Sequence, residues 1–303
     1  MNMQLPKAVS LLLACLLMLL PALASASSST LERVRASNSF TLGYLPDFAP
    51  FSSQEGDQAS GYGIELCLKI ADKLKAELSL PNLQVRYQAL KVDEEISAVS
   101  SGKVDILCTP TPATLERRKT VSFSVPVYTA GLSALVREDA PESLLRVLNG
   151  DVAHTGPTWR ATINRGLANH TFAATTGSIT EAWIRDKMRL LGVVATLVTV
   201  KSHEEGVQLV AEGKADAFFS ERMLLKNYQA KNKDAGEMMV VSRLFEFAPA
   251  SMVLDRTDED FRLLVDTALS EMYRSGEIEQ AYSKYLGGVR GTSKLLFKVY
   301  ALP

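Results

Sequence analysis

The chain has 303 residues, 47% hydrophobic and 22% charged, which is enough for one large globular domain or two ordinary ones. Its 33 basic and 34 acidic residues leave a net charge of −1, so no basic field suggests nucleic acid as a partner. Three cysteines are too few for a disulfide-dense scaffold or a four-thiolate zinc site. The three histidines are scattered, and we expect no catalytic metal and no cofactor.

The first 26 residues are typical of a secretory signal peptide. Lys7 precedes an apolar run over 11–24, and small residues at Ala22, Ala24 and Ala26 offer cleavage sites. The alternative is a membrane anchor, but about 17 apolar residues are short for a stable span. We therefore expect the protein to be exported and residues 1–26 to be removed.

Export leaves two cysteines, Cys67 and Cys108. In an oxidising compartment an even pair indicates one disulfide. Two buried thiols are the alternative, and the spacing alone does not separate the two.

From residue 38 onward, short apolar strands alternate with helical patterns, which predicts an α/β fold. In the first half we expect strands at 40–45, 84–89 and 103–108 and helices at 63–78, 92–101 and from Pro112. The second half repeats the pattern, with strands at 171–175, 195–200, 215–219, 238–242 and 247–254 and helices at 178–191, 203–212, 221–231, 258–275 and 277–286. The segment 137–170 is predicted to be irregular, and the tail after 286 is unassigned.

Two similar α/β units suggest two lobes with a cleft between them. Ligands of open α/β sheets lie beyond the carboxyl ends of the strands. At one such end, Thr111 and Pro112 are predicted to open a helix whose free N–H groups favour an anion. Arg117 follows and is able to fork onto a carboxylate. The alternative is a surface helix with Arg117 in solvent.

Three further residues are candidates by their positions after predicted strands. Phe48 lies in a loop where its ring can face a ligand, although such a ring is more often local core. Glu221 begins a helix and can hold an ammonium, although acids are common in a first helical turn. Ser178 lies in a Gly-Ser turn before a helix, which is a weak anion-site signal. The chain carries no GxSxG, GxxxxGK[ST] or post-strand GxGxxG motif.

Together these segments resemble the family 3 periplasmic solute-binding proteins of ABC importers, which bind polar amino acids in a type II two-lobed fold. Within that family they are most similar to the glutamate/aspartate-type and related acidic or polar amino acid binders. The resemblance covers about residues 38–286. Its motifs are GYLPDFAPF, GYGIELCLKIADKL, TPATLERRKTVSFSVPVY, GSITEAW, GKADAFFSE and SGEIEQAYSKYLG, in that order.

The resemblance implies a role for each candidate residue. The arginine that grips the ligand α-carboxylate falls on Arg117, and the aromatic that covers the ligand falls on Phe48. The acid that takes the ligand α-ammonium falls on Glu221. The lobe 2 turn that carries hydroxyl and amide groups falls on Ser178 and its neighbours. The resemblance also implies a small-molecule ligand, an ABC importer permease as partner, a periplasmic location and a monomer.

Three departures from the family pattern bear on the ligand. The acid is usually Asp, whereas Glu221 is one methylene longer. The turn usually reads Gly-Thr-Thr, but Ile179 replaces one hydroxyl. Pro110 and Pro112 stand where hydroxyl residues are frequent, and since proline has neither hydroxyl nor N–H, Thr109 and Thr111 would supply the polar contacts.

The resemblance further implies discontinuous lobes. Lobe 1 is expected over 31–129 and 249–290, and lobe 2 over 130–248, followed by a tail over 291–303. The function expected is binding of an amino acid or small carboxylate. The alternatives are an enzyme similar to cyclohexadienyl dehydratase, with Glu221 as its acid/base group, and a sensor or accessory subunit.

Overall fold

Strands and helices alternate along the described chain, which in this computed structural model comprises residues 29–151, 166–232 and 237–303. The expected signal peptide, 1–26, lies outside these residues. No helix in the described part of the chain combines the length and the apolar character needed to cross a membrane.

The first half follows the predicted order as far as 108, and it adds a helix over 30–37, a small sheet over 47–60 and a strand over 121–123. Its elements are α1 (Thr30–Ser37), β1 (Ser39–Tyr44), β2 (Asp47–Phe48), β3 (Ser52–Glu55), β4 (Gln58–Ser60), α2 (Tyr62–Leu78), β5 (Gln84–Ala89), a 3-10 turn (Val92–Glu94), α3 (Glu95–Ser100), β6 (Ile106–Pro112), a 3-10 turn (Arg117–Lys119) and β7 (Val121–Phe123).

The second half also follows the predicted order, with β8 and two helices added. Its described elements are β8 (Tyr128–Arg137), α4 (Glu142–Asn149), β9 (Thr171–Thr175), α5 (Ile179–Leu191), β10 (Thr196–Val200), α6 (His203–Ala211), β11 (Ala217–Glu221), α7 (Arg222–Lys231), β12 (Met238–Val240), β13 (Glu246–Asp255), α8 (Glu259–Ser275), α9 (Glu277–Leu286) and α10 (Gly291–Tyr300).

Two long antiparallel strands, β8 and β13, join the two halves of the fold. The main sheet runs in the order β10-β9-β11-β8-β13-β6-β1-β5, so strands of the second unit lie on the β8 side and strands of the first unit on the β13 side. Each unit has its own apolar core. Around Phe40 and Phe261, helices α2, α8 and α9 pack together, whereas Phe218 and Phe219 belong to cores beside β9 and β11. The chain therefore has two lobes.

We propose that the lobes divide at Thr129 and Pro249, as expected from the sequence. These residues are direct partners in the β8–β13 ladder. The returning helices α8 and α9 pack on α2 of the first lobe. Both observations support lobe 1 as 31–129 plus 249–290 and lobe 2 as 130–248.

The predicted helix from Pro112 is wrong, because β6 continues as a strand through Pro112. Thr111 and Pro112 pair with Ser251 and Ala250 of β13, whereas β1 reaches only as far as Leu107. Past Leu107, β6 has a paired strand on its β13 side but no longer on its β1 side. A proline is tolerated at such an edge, because no backbone N–H is needed there. Arg117 opens a short 3-10 turn instead.

Two other segments are more regular than expected. The segment 137–170 contains helix α4, and its residues 152–165 lie outside the described chain. The unassigned tail forms helix α10, whose Tyr300 hydroxyl lies 3.3 Å from the Thr129 hydroxyl. The tail helix therefore contacts the proposed crossing between the lobes.

The expected disulfide between Cys67 and Cys108 is present and links α2 to β6. Both cysteines are completely buried, and their Cα atoms lie 5.9 Å apart. Gly63 permits this close approach, since a Cβ there would meet the Cys108 carbonyl oxygen at 2.0 Å.

Replacing both cysteines by alanine should lower the free energy of unfolding by about 4 kcal/mol. The disulfide closes a loop of 41 residues, and its loss restores that loop's freedom to the unfolded chain. Denaturant unfolding measures the difference. A reductant should produce a similar loss in the parent protein and none in the double variant. An unchanged unfolding free energy would show that the disulfide does not stabilise the fold.

Candidate functional site

A cavity of about 350 Å³ lies between the two lobes. All six residues predicted to bind ligand line it, three of them on β6 or in the turn after it and the others on β2, before α5 and at the end of β11. These residues are Thr109, Thr111, Arg117, Phe48, Ser178 and Glu221.

Arg117 reaches the cavity from its 3-10 turn and is held by lobe 1. Its Nη2 donates to Oε1 of Glu95, and its Nη1 donates to the Pro112 carbonyl oxygen at 3.2 Å. The side chain is 14% exposed. A guanidinium has five N–H donors, and the hydrogen bonds within the described chain use two of them. The remaining donors are suited to a ligand carboxylate.

Glu95, at the start of α3, is a site residue that the sequence analysis missed. It is 5% exposed and lines the cavity beside Arg117. Burial raises the pKa of the Glu95 carboxyl, and the Arg117 charge opposes that rise. No local motif marks this acid, since its partner lies 22 residues further along the chain. The Glu95 carboxylate therefore offsets much of the positive charge of Arg117.

Glu221 is both the N-cap of α7 and a wall of the cavity. Its carboxylate accepts hydrogen bonds from the Met223 and Leu224 amides at 2.6 and 3.1 Å, and from the Tyr128 hydroxyl at 2.9 Å. No ion pair among the described residues involves it. Burial raises the pKa of Glu221 to about 7, although these hydrogen bonds oppose the rise. A buried acid without a cation is suited to an ammonium group.

Thr109 and Thr111 lie at the cavity wall with their hydroxyls already engaged in lobe 1. The Thr109 hydroxyl accepts from the Leu45 amide at 2.9 Å and lies 2.7 Å from the Ser52 hydroxyl. The Thr111 hydroxyl donates to the Thr109 carbonyl oxygen at 3.0 Å. Both threonines therefore fix the wall, and a ligand would share these hydroxyls with protein groups.

Ser178 caps helix α5 by accepting a hydrogen bond from the Glu181 amide at 3.2 Å. Ile179 and Thr180, which follow it in the first turn, also line the cavity. The N-terminus of α5 therefore faces the cavity with amides that favour an anion.

Phe48 makes a contact across the lobes with His203, which the sequence analysis did not single out. Their ring centroids lie 4.6 Å apart in an edge-to-face arrangement. Beside them, the His203 amide donates to the Asp47 carboxylate at 3.4 Å, and the Tyr228 hydroxyl donates to the Asp47 carbonyl oxygen at 3.0 Å. These contacts hold β2 of lobe 1 against α6 and α7 of lobe 2.

His203 and Ser220 form a buried hydrogen-bonded pair at the cavity, with Nε2 2.8 Å from Oγ. The other ring nitrogen lies 3.8 Å from Asp47 Oδ2, which is too long for a hydrogen bond. In the described chain, no three His, Cys, Asp or Glu side chains are grouped closely enough to hold a metal ion.

Two lobes are joined by two strands around a partly apolar cavity, whose walls carry an arginine and an acid that forms no ion pair with the described residues. This arrangement is suited to binding a solute. The chain belongs to the bacterial extracellular solute-binding proteins, family 3, which match residues 40–288.

Two relatives illustrate the similarity in sequence. An L-glutamate/L-aspartate-binding protein of Pseudomonas aeruginosa is 28% identical over 282 residues, covering 92% of this chain and 87% of the relative. A glutamate/aspartate import solute-binding protein of Escherichia coli is 23% identical over 263 residues, covering 86% of this chain and 81% of the relative.

Solved structures confirm the predicted type II two-lobed fold. An ancestral amino acid-binding protein, a precursor of cyclohexadienyl dehydratase, matches with a TM-score of 0.69 at 24% identity, covering 85% of this chain and 99% of that chain. An amino acid ABC transporter substrate-binding protein from Streptococcus pneumoniae, bound to L-arginine, matches with a TM-score of 0.65 at 22% identity. The match covers 90% of this chain and 100% of that chain.

Glu221 should make the stability of the protein depend on pH. Because folding raises its pKa to about 7, the folded state holds this proton more tightly than the unfolded chain. The resulting stabilisation is complete below the ordinary glutamate pKa and is lost as pH rises through about 7. Glu221→Gln should remove this decline, which denaturant unfolding between pH 4.5 and 8 measures.

Glu246→Gln is the matched control, because Glu246 lines the same cavity with a side chain that is 53% exposed. The free energy of unfolding of this variant should change with pH in the same way as that of the parent. Parallel profiles for the parent and Glu221→Gln would contradict the raised pKa.

Proposed function

We propose that this protein binds an amino acid or a small carboxylate-bearing solute between its lobes and delivers it to the permease of an ABC importer. The observation that carries the proposal is the pairing of opposite sites in one cavity. Arg117 offers N–H donors for a carboxylate, and Glu221 is a buried acid that forms no ion pair with the described residues and is thus suited to an ammonium. The family membership supports the same function.

Binding would act by closing the lobes around the ligand. Arg117 belongs to the proposed lobe 1 and Glu221 to lobe 2, so a ligand that contacts both favours the closed arrangement. The contacts of Asp47 and Phe48 with His203 also cross the lobes and would form on closure. Thr109, Thr111 and Ser178 would complete the polar wall.

The compartment and partners belong to the same proposal. Residues 1–26 would direct export and be cleaved, the mature protein would act as a monomer in the periplasm, and the permease would recognise the closed form. The presence of permease and ATPase genes beside this one would favour transport over a sensor or accessory role.

We propose further that the protein binds without turnover. The alternative, an enzyme similar to cyclohexadienyl dehydratase, draws on the Glu221 pKa of about 7, which suits a general acid or base. An acid that pairs with a ligand ammonium needs the same environment. Incubation with prephenate followed by product analysis separates the two, and product formation would overturn the binding proposal.

Arg117→Ala should weaken ligand binding by roughly 30- to several-thousand-fold, the loss typical of removing one member of a desolvated charge pair. Arg117→Lys should bind more tightly than Arg117→Ala but more weakly than the parent, because an ammonium cannot donate the two parallel hydrogen bonds of a guanidinium. Calorimetry with the tightest-binding amino acid measures both variants.

Two controls separate the ligand contact from effects on the fold. Arg118→Ala should bind like the parent, since Arg118 is exposed and lies over the Phe123 ring. Removing Arg117 alone leaves Glu95 buried without its partner, so Glu95→Gln/Arg117→Ala should recover stability but not binding. Parent-like affinity in Arg117→Ala would overturn the site assignment.

A further inference from the structure

The cavity has an unequal set of charges. Three carboxylates line it, from Glu95, Glu221 and Glu246. Among the described lining residues, Arg117 is the single arginine, and there is no lysine. Nearby Lys187 is not a lining residue and lies 3.7 Å from the carboxylate of Glu246. Among the described lining residues, a ligand therefore meets a single guanidinium.

Arg117 provides for one carboxylate, and the described lining residues include no second arginine or lysine for another. Its charge is already balanced by Glu95, which is buried beside it. The N-terminus of α5 adds amide donors but no net charge, and Glu181 in its first turn accepts from the Gly177 amide at 2.8 Å. A second ligand carboxylate would be desolvated without a cation from the described lining residues, which is strongly unfavourable.

His203 does not supply the missing cation. Its Nε2 is paired with the Ser220 hydroxyl, and its other nitrogen faces the Asp47 carboxylate. Phe48 and the Phe218 ring pack edge-on against the imidazole, and Tyr228 stacks on it. A positive imidazole there would be balanced by Asp47, not by a ligand.

Much of the remaining wall is apolar in both lobes, and Thr175, Thr180 and Tyr128 add hydroxyl groups to it. Trp183 donates its indole N–H to Glu246 at 3.1 Å, so its polar atom is satisfied within the protein. Large apolar side chains on the wall include Leu45, Phe51, Val92, Leu132, Phe219 and Leu224. Such a wall gains free energy by covering an apolar side chain.

We propose that the ligand is an α-amino acid with an uncharged apolar side chain, aromatic or branched aliphatic, and that acidic amino acids are excluded. This rests on the proposed amino acid-binding function and narrows it. The chain would thus differ in ligand from its relatives named for glutamate and aspartate, although it shares their fold.

Calorimetric titration of the purified protein with L-phenylalanine, L-leucine, L-glutamate and L-aspartate tests the proposal. At least one of the two apolar amino acids should bind with a dissociation constant at least about 100-fold lower than that of either acidic one. Glutamate or aspartate binding as tightly as the apolar ligands would overturn this inference and leave the proposed function standing. Binding of none of the four, nor of any other amino acid, would overturn the proposed function and the inference with it.

Trp183→Ala should weaken binding of the preferred apolar ligand by about 10- to 100-fold, because the ligand loses an apolar wall. Leu190→Ala is the matched control on the same helix, since Leu190 is 60% exposed and does not line the cavity. Unfolding midpoints report whether each variant is folded. Parent-like affinity in a folded Trp183→Ala variant would contradict the assignment of this wall.

Discussion

The ladder between β8 and β13 is the constraint on which the rest of the structure depends. Its paired residues run from Tyr128–Ala250 to Leu132–Glu246, and each strand continues into one lobe's sheet. The middle of this ladder also forms a wall of the cavity, through Ala130, Gly131 and Ala248. Hinge and binding site are therefore built from the same backbone, and a change in the angle between the lobes changes the cavity directly.

Electrostatics divides the cavity walls into two kinds of site. Arg117 is held with a buried counter-charge, so its guanidinium is oriented before a ligand arrives. Glu221 has hydrogen-bond donors but no counter-charge among the described residues, and burial raises its pKa to about 7. On the proposed function, the first site would take an anion, and the second would pair with a cation by releasing a proton. A zwitterion would satisfy both, whereas an additional carboxylate would satisfy neither.

The sequence predicted most of the elements, since α2, α8 and α9 carry periodic apolar faces and glycine or polar ends. It failed at Pro112, where a favourable helix-start pattern competes with pairing to β13, a contact from 138 residues further along the chain. It also missed Glu95, because its importance comes only from its position beside Arg117. Long-range pairing of this kind has no local signal. The six ligand-binding candidates do share one cavity, since they lie on strands β2, β6 and β11 or in the turns before α5 and after β6 that meet at the cleft.

The most direct test of the account is the number of protons released when an amino acid binds. If the ligand ammonium replaces the proton on Glu221, calorimetry at pH 6 in two buffers with different ionisation enthalpies should report close to one proton released per ligand, because the pKa of Glu221 is about 7 in the free protein. Glu221→Gln should release none. Equal release by the parent and this variant, or no release by the parent, would contradict the account.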